Sequence, residues 1–516
     1  MEVVMTIYTT RRGFIQRSAA AGFLAGLSGF ELPGSLPRVT AADAQLDPDA
    51  VPLPSEIEPL VRLLEETPRE RLLEEVAARI RGGCPYRAVL AALLLAGVRN
   101  VQPRPSVGFK FHAVLVVSSA HLASLASPDS QRWLPIFWAL DYFKSAQAQD
   151  VREGNWTMHP VDASAIPAPH RARQALADAL DTWDEGAADA AAAGVARTTG
   201  VHEAFELLLH YGARDFRSIG HKAIFIAGSY RVLQVIGWRY AEPVLRSLAY
   251  ALLMHDGSNP SQADAEADRP GRENLVRAGE IRAEWLDGQP DDGACVELQA
   301  ALREASHNDV CRLVVAQLNR GVSVQSVWDG LLTGAGELLV RQPGIVALHA
   351  VTTSNALRYA FETSGDDLTR RFLLLQNAAF LPLFREAMQQ RGAVADVKLE
   401  QWTAAEPTTD DLATEEAILA QIGRDQEQAA RNMLGYLQAG RDPQSLVDAA
   451  RLLVFAKGTD SHDYKFSSAV LEDYQHLSPK WRPYYLAAST YKLRGSQEVD
   501  NPLVPRTRAA LAGPKI

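Results

Sequence analysis

The chain has little of what usually identifies a protein's chemistry. Only three of its 516 residues are cysteine, Cys84, Cys295 and Cys311, and no two share a Cys-x-x-Cys spacing. That excludes a disulfide framework and a thiolate zinc site, and leaves buried thiols as their reading. Positive charge is not in excess. The net charge of −10 argues against the basic face of a nucleic-acid binder. No Gly-rich phosphate loop follows a strand pattern, so a nucleotide-binding Rossmann domain is not expected. No His-Glu-x-x-His run is present, which removes the usual zinc protease signature. The mild apolar stretch from Ser18 to Phe30 is shorter than the ~20 residues a membrane helix needs.

What is present is globular and helical. The composition, 47% hydrophobic and 22% charged, can fill a sizeable core. Thr67-Pro68-Arg69-Glu70 reads as a capping box with proline at the first helical position. Leu72, Leu73, Val76 and Ile80 then recur at helical spacing until Gly82-Gly83 stops them. "YRAVLAALLLAGV" (86–98) is apolar nearly all round and predicts a buried helix. Alanine-rich and leucine-rich runs continue the pattern. Residues 256–273 and 393–416 are polar and read as surface loops. The fold class expected is mainly α: a single large helical domain over 45–495, followed by an irregular tail over 496–516.

The N-terminus carries an address. "TTRRGFIQRSAAAGFLAGLSGF" resembles a bacterial twin-arginine signal, with Arg11-Arg12 before Gly13, Phe14 and Ile15. "AADA" supplies an Ala-x-Ala match with cleavage after Ala44, so residues 1–44 are set apart from the fold. The resemblance implies the twin-arginine export machinery as a partner and a periplasmic or extracytoplasmic location, with no membrane span after signal removal. That route carries proteins already folded, often with a cofactor loaded.

Histidine is the residue that stands out. Twelve are present, several of them inside apolar helical stretches: His112, His121, His210, His221, His255 and His349. One such histidine is more often a satisfied core residue than a ligand. Several in one domain change that balance, because each buried imidazole needs partners and a shared metal satisfies several together. A histidine-rich site with little sulfur suits iron, copper, nickel or zinc.

At "LHAVTTSNALR" and "HDYKFSSAVLEDY" the chain resembles the questin oxidase-like family. The matching residues are His349, Val351, Thr352 and Ala356-Leu357-Arg358, then His462 and Lys465 with Ala469 after them. "FKFHAVLVV" and "IGHKAIFIA" look like two earlier family helices and bring in His112 and His221. The matches run in family order from about 86 to 474. The resemblance implies a helical oxygenase using molecular oxygen on an oxygenated aromatic or quinone-like small molecule. Its cofactor would be non-haem Fe2+, with another first-row metal as the alternative. It further implies His112, His221, His349 and His462 as neutral imidazole ligands, each with an acceptor on its other nitrogen. His121, His210 or His255 could replace one of them. Asp460 and Asp463 flank His462 with no role legible from sequence.

Lys465 sits three residues after His462, on the same helical face. A free ammonium beside a dication would be repelled. Three readings follow: a surface lysine pointing away, a neutral amine ligand, or a carbamate formed with carbon dioxide. The carbamate is preferred, since it puts an anionic oxygen ligand where a cation would stand. Two other functions remain open, a metal-dependent hydrolase and an exported helical scaffold without catalysis. The export reading has its own test. Replacing Arg11 and Arg12 with lysine is expected to leave the protein in the cytoplasm, as read by cell fractionation. Normal export of that variant would remove the assignment.

Overall fold

Helix-forming runs of this density leave no material for a sheet. In the computed structural model, which describes residues 56–103, 108–404 and 414–513, they form 22 α-helices, and 74% of the described residues are helical. Among the described residues there is no strand, only one isolated bridge between Gln289 and Val322. The twin-arginine stretch lies outside the described residues.

The apolar run at 86–98 becomes the helix Tyr86–Asn100, with every residue from Val89 to Val98 buried. Two local expectations fail. The helix Arg69–Arg81 starts without a side-chain cap: its N-cap position is Pro68, which has no side-chain acceptor, and Thr67 closes the preceding helix through its N–H to Leu63 O. The tail after Gly495 is not irregular, since it carries the helix Leu503–Ala512. Leu503, Val504, Thr507, Ala510 and Leu511 supply a helical stripe that rests on Arg69–Arg81. Arg506 bridges to Glu74 at 2.8 Å and Arg81 donates to Ala510 O.

Four helices position the histidines. We label them α1 (Gly108–Leu125), α2 (His221–Ile236), α3 (Ile345–Thr363) and α4 (Ser461–His476). α1 packs against α2 and α4, and α3 packs against the same two, so the four close a ring. His112 is the fifth residue of α1, His221 the first of α2, His349 the fifth of α3 and His462 the second of α4. Each ligand candidate therefore lies in or next to the first turn of its helix.

At the far end of the ring Asp473 is fully buried on α4. It accepts from Asn355 Nδ2 at 2.8 Å and from the Tyr485 hydroxyl at 3.1 Å. Burial pushes its carboxyl up from 3.8 to about 7. A carboxyl raised in the folded state holds its proton while the unfolded chain has already lost it, so stability falls as pH rises between those two values. Asp473→Asn has no such loss. The melting temperatures of variant and wild type are expected to move apart in the variant's favour between pH 4 and pH 7 and to keep that gap above it.

Candidate metal centre

The four N-terminal turns bring four imidazoles to one place. The ring centroids of His221 and His349 are 4.4 Å apart, those of His112 and His462 4.6 Å, and those of His112 and His221 4.9 Å. His462 stands 5.2 Å from His349. All four are buried. The ring nitrogens of His112, His221 and His349 converge within 4.8 Å of one another, and this triad can hold a metal ion. The three substitutes considered from sequence are engaged elsewhere. His121 meets the Tyr86 hydroxyl at 2.9 Å, His210 lies against Phe372, and His255 lies against Trp183.

The outer nitrogens decide what the inner ones can do. His221 Nδ1 is 2.5 Å from Ser218 O, and His349 Nδ1 is 2.7 Å from Ile345 O. A carbonyl can only accept, so each Nδ1 carries the proton and each neutral ring points a bare Nε2 lone pair inward. Those two Nε2 atoms are 3.0 Å apart, and His112 Nε2 is 3.1 Å from that of His221. Two lone pairs at that distance repel unless a cation lies between them. A proton is disfavoured there, because burial holds His221 and His349 well below 6.5, with the Lys465 charge acting in the same direction. Nitrogens bound at about 2.1 Å to one ion stand about 3.0 Å apart when they subtend a right angle. The observed spacings match that value, so the donor set can take a metal ion.

His462 is oriented the same way by a stronger acceptor. Its Nδ1 is 2.7 Å from Asp460 Oδ1. Burial works against the Asp460 charge, but the bonds from His462 outweigh it and hold this carboxyl far below the usual range. Asp460 also accepts the His462 backbone N–H and caps α4. Asp463 is the reciprocal member of that capping box and pairs with Arg494 at 2.5 Å. Of the two aspartates near His462, the first orients the ring and the second holds the helix start.

Lys465 is not a surface residue. It is 3% exposed, and its Nζ has no hydrogen-bond partner among the described residues. That overturns the reading in which it points into solvent. Burial pushes its amine down to about 7, while Asp460 opposes the shift. One turn beyond His462, it acts electrostatically on both His221 and His349. Four helix N-termini, each with a partial positive charge, also face this spot. They favour an anion beside the imidazoles.

Sequence reading missed the device that aims His221. Ser218 and Ile219 adopt left-handed backbone at φ 55° and 46°, followed by Gly220 at φ 80°. A β-branched residue in that region is a strained outlier. The turn directs the Ser218 carbonyl onto His221 Nδ1. It is held from α3, where Thr353 Oγ1 donates to Ile219 O at 3.5 Å. A Cβ on Gly220 would overlap the Thr353 side chain. The only sequence signal is the glycine before His221 in "RSIGH".

No family model matches the chain, and no curated protein or solved structure matches it. Gly220→Ala is expected to cost about 1–3 kcal/mol, from a left-handed alanine and the overlap with Thr353. Chemical denaturation should show that loss, and metal analysis should show a reduced metal content at equal protein.

Proposed function

We propose that this protein is an exported, metal-dependent oxygenase that acts on an oxygenated aromatic or quinone-like small molecule with dioxygen. The observation that carries the metal is the pair of inward lone pairs on His221 and His349, 3.0 Å apart, with His112 completing the triad. The oxygenase reading and non-haem iron rest on the resemblance to the questin oxidase-like family. In support, the four histidines matched by its motifs stand in one cluster. The twin-arginine pattern supports export. No helix among the described residues is long and apolar enough to cross a membrane.

Bound there, iron would supply the one-electron chemistry that lets dioxygen react with a spin-paired organic molecule. The chain's own residues supply everything else. His112, His221, His349 and His462 hold the ion as neutral imidazoles. Ser218 O and Ile345 O fix two of the rings in the tautomer that leaves Nε2 unprotonated, and the Asp460 carboxylate holds the Nδ1 of His462. The packed ring of α1 to α4 excludes bulk water, which strengthens each electrostatic contact inside it.

Lys465 completes the donor set as a carbamate. Its neutral Nζ attacks carbon dioxide, and a new N–C bond forms. One C–O π pair becomes the carboxylate charge, and one N–H proton leaves. The product replaces an unpartnered buried amine with an anion, as a cluster of imidazoles and helix N-termini favours.

Anaerobically purified protein is expected to carry about one metal ion per chain. His349→Ala should lose most of it and should consume no oxygen with an aromatic substrate. Lys465→Ala should lose metal or activity, with partial recovery on adding formate or acetate. Full metal and activity in that variant would remove the ligand role. Metal-loaded protein that hydrolyses substrate without taking up oxygen would replace the oxygenase with a hydrolase.

A further inference from the structure

A narrow crevice opens directly beyond the histidine layer. It is bounded by all four site helices, and Leu115, Ile224, Thr352 and Lys465 are among its lining residues. Each stands three residues after a histidine, His112, His221, His349 and His462 in turn. The crevice therefore starts one helical turn from the imidazoles on every side. Its volume is about 40 Å³, space for roughly two or three water-sized bodies and too little for an aromatic ring. Small residues keep it open. A Cβ on Gly228 would approach Ser118 Cβ to 3.3 Å, and Ala469 and Ser468 form the α4 wall.

Outward, the crevice meets a cleft of about 400 Å³, and Leu122 and Ser468 line both. A polar bridge spans this junction. Arg231 on α2 pairs with Glu472 on α4 at 2.8 Å, and Asn355 on α3 donates to the same carboxylate oxygen at 2.7 Å. The Arg231 guanidinium lies 4.0 Å over the Tyr359 ring. Arg231 and Glu472 are part-buried, with side-chain exposures of 12% and 30%, so solvent reaches the pair and screens it in part.

We propose that this crevice is a size-selective entrance through which a neutral molecule of two or three heavy atoms reaches the histidine centre, with the Arg231–Glu472 bridge as its latch. Only the identity of the passenger as dioxygen rests on the function proposed above. The organic substrate is too large for this route. Lys465, unpartnered at the inner end, reports on traffic through it.

The test is chemical labelling of Lys465 in the full chain, in buffer free of carbon dioxide, read by peptide mass spectrometry. The probes are isocyanic acid, which has three heavy atoms, and trinitrobenzenesulfonate, which is bulky. The exposed Lys480 serves as the control. In chelator-treated wild type, isocyanic acid should modify Lys465 and trinitrobenzenesulfonate should not. Ala469→Leu should slow the small probe at Lys465 about tenfold with Lys480 unchanged, the effect of one added barrier. Gly228→Ala should slow it in the same direction, and Glu472→Ala should speed it. Variants that unfold betray themselves, because the bulky reagent would then reach Lys465. A wild-type Lys465 inert to isocyanic acid, or equal rates in the plugged and open variants, would overturn the entrance. Protection of Lys465 by bound metal reads the function separately. Its absence counts against the metal ligand and leaves the entrance standing.

Discussion

The site turns on two hydrogen bonds that point away from it. His221 and His349 each spend their one proton on a backbone carbonyl, Ser218 O and Ile345 O. Two neutral rings are then committed to face each other lone pair to lone pair, 3.0 Å apart, inside the buried core. A protein interior does not hold such a pair without compensation, and a metal ion is a compensation this geometry can accept. The strained turn before His221 belongs to the same constraint. Its cost is borne where it fixes the direction of one carbonyl.

Charge follows from the same arrangement. The ring of helices starts its four members at one layer, so their positive ends converge on the imidazoles. A cation is poorly tolerated there, yet Lys465 is built into the wall with no hydrogen-bond partner for its Nζ among the described residues. Asp460 and Asp463 show how sparingly negative charge is used nearby. One orients His462 and caps α4, and the other completes the cap and anchors Arg494. An anion formed at Lys465 would give the layer the charge it lacks. The ion pair between Arg231 and Glu472 lies one layer further out and is partly exposed.

Much of this was open to reading along the chain. The helical class was legible because apolar residues recur at helical spacing from Leu72 onward, and "YRAVLAALLLAGV" is apolar on all sides. The four clustered histidines could be named because the motifs around them carry recognisable neighbours. Other features were not legible. Thr67 looked like a cap, but the helix starts one residue later with Pro68 at its N-cap, and Thr67 ends the helix before it. The tail looked irregular because its stripe is short, and it becomes a helix by resting on Arg69–Arg81.

The sequence by itself determined the helices, the scarcity of sulfur ligands and the set of imidazoles available, because periodicity and residue chemistry are local properties. The separations between His112, His221, His349 and His462 all exceed 100 residues, and no local rule says that they meet. Only the closed ring of α1 to α4 decided that they do. It also decided that His121, His210 and His255 do not join them, and that Lys465 is inside. The tautomers were beyond any sequence reading, since backbone carbonyls have no letter in the alphabet. Their acceptors are placed by the turn at Ser218 and the first turn of α3, and those positions exist only once the helices have packed.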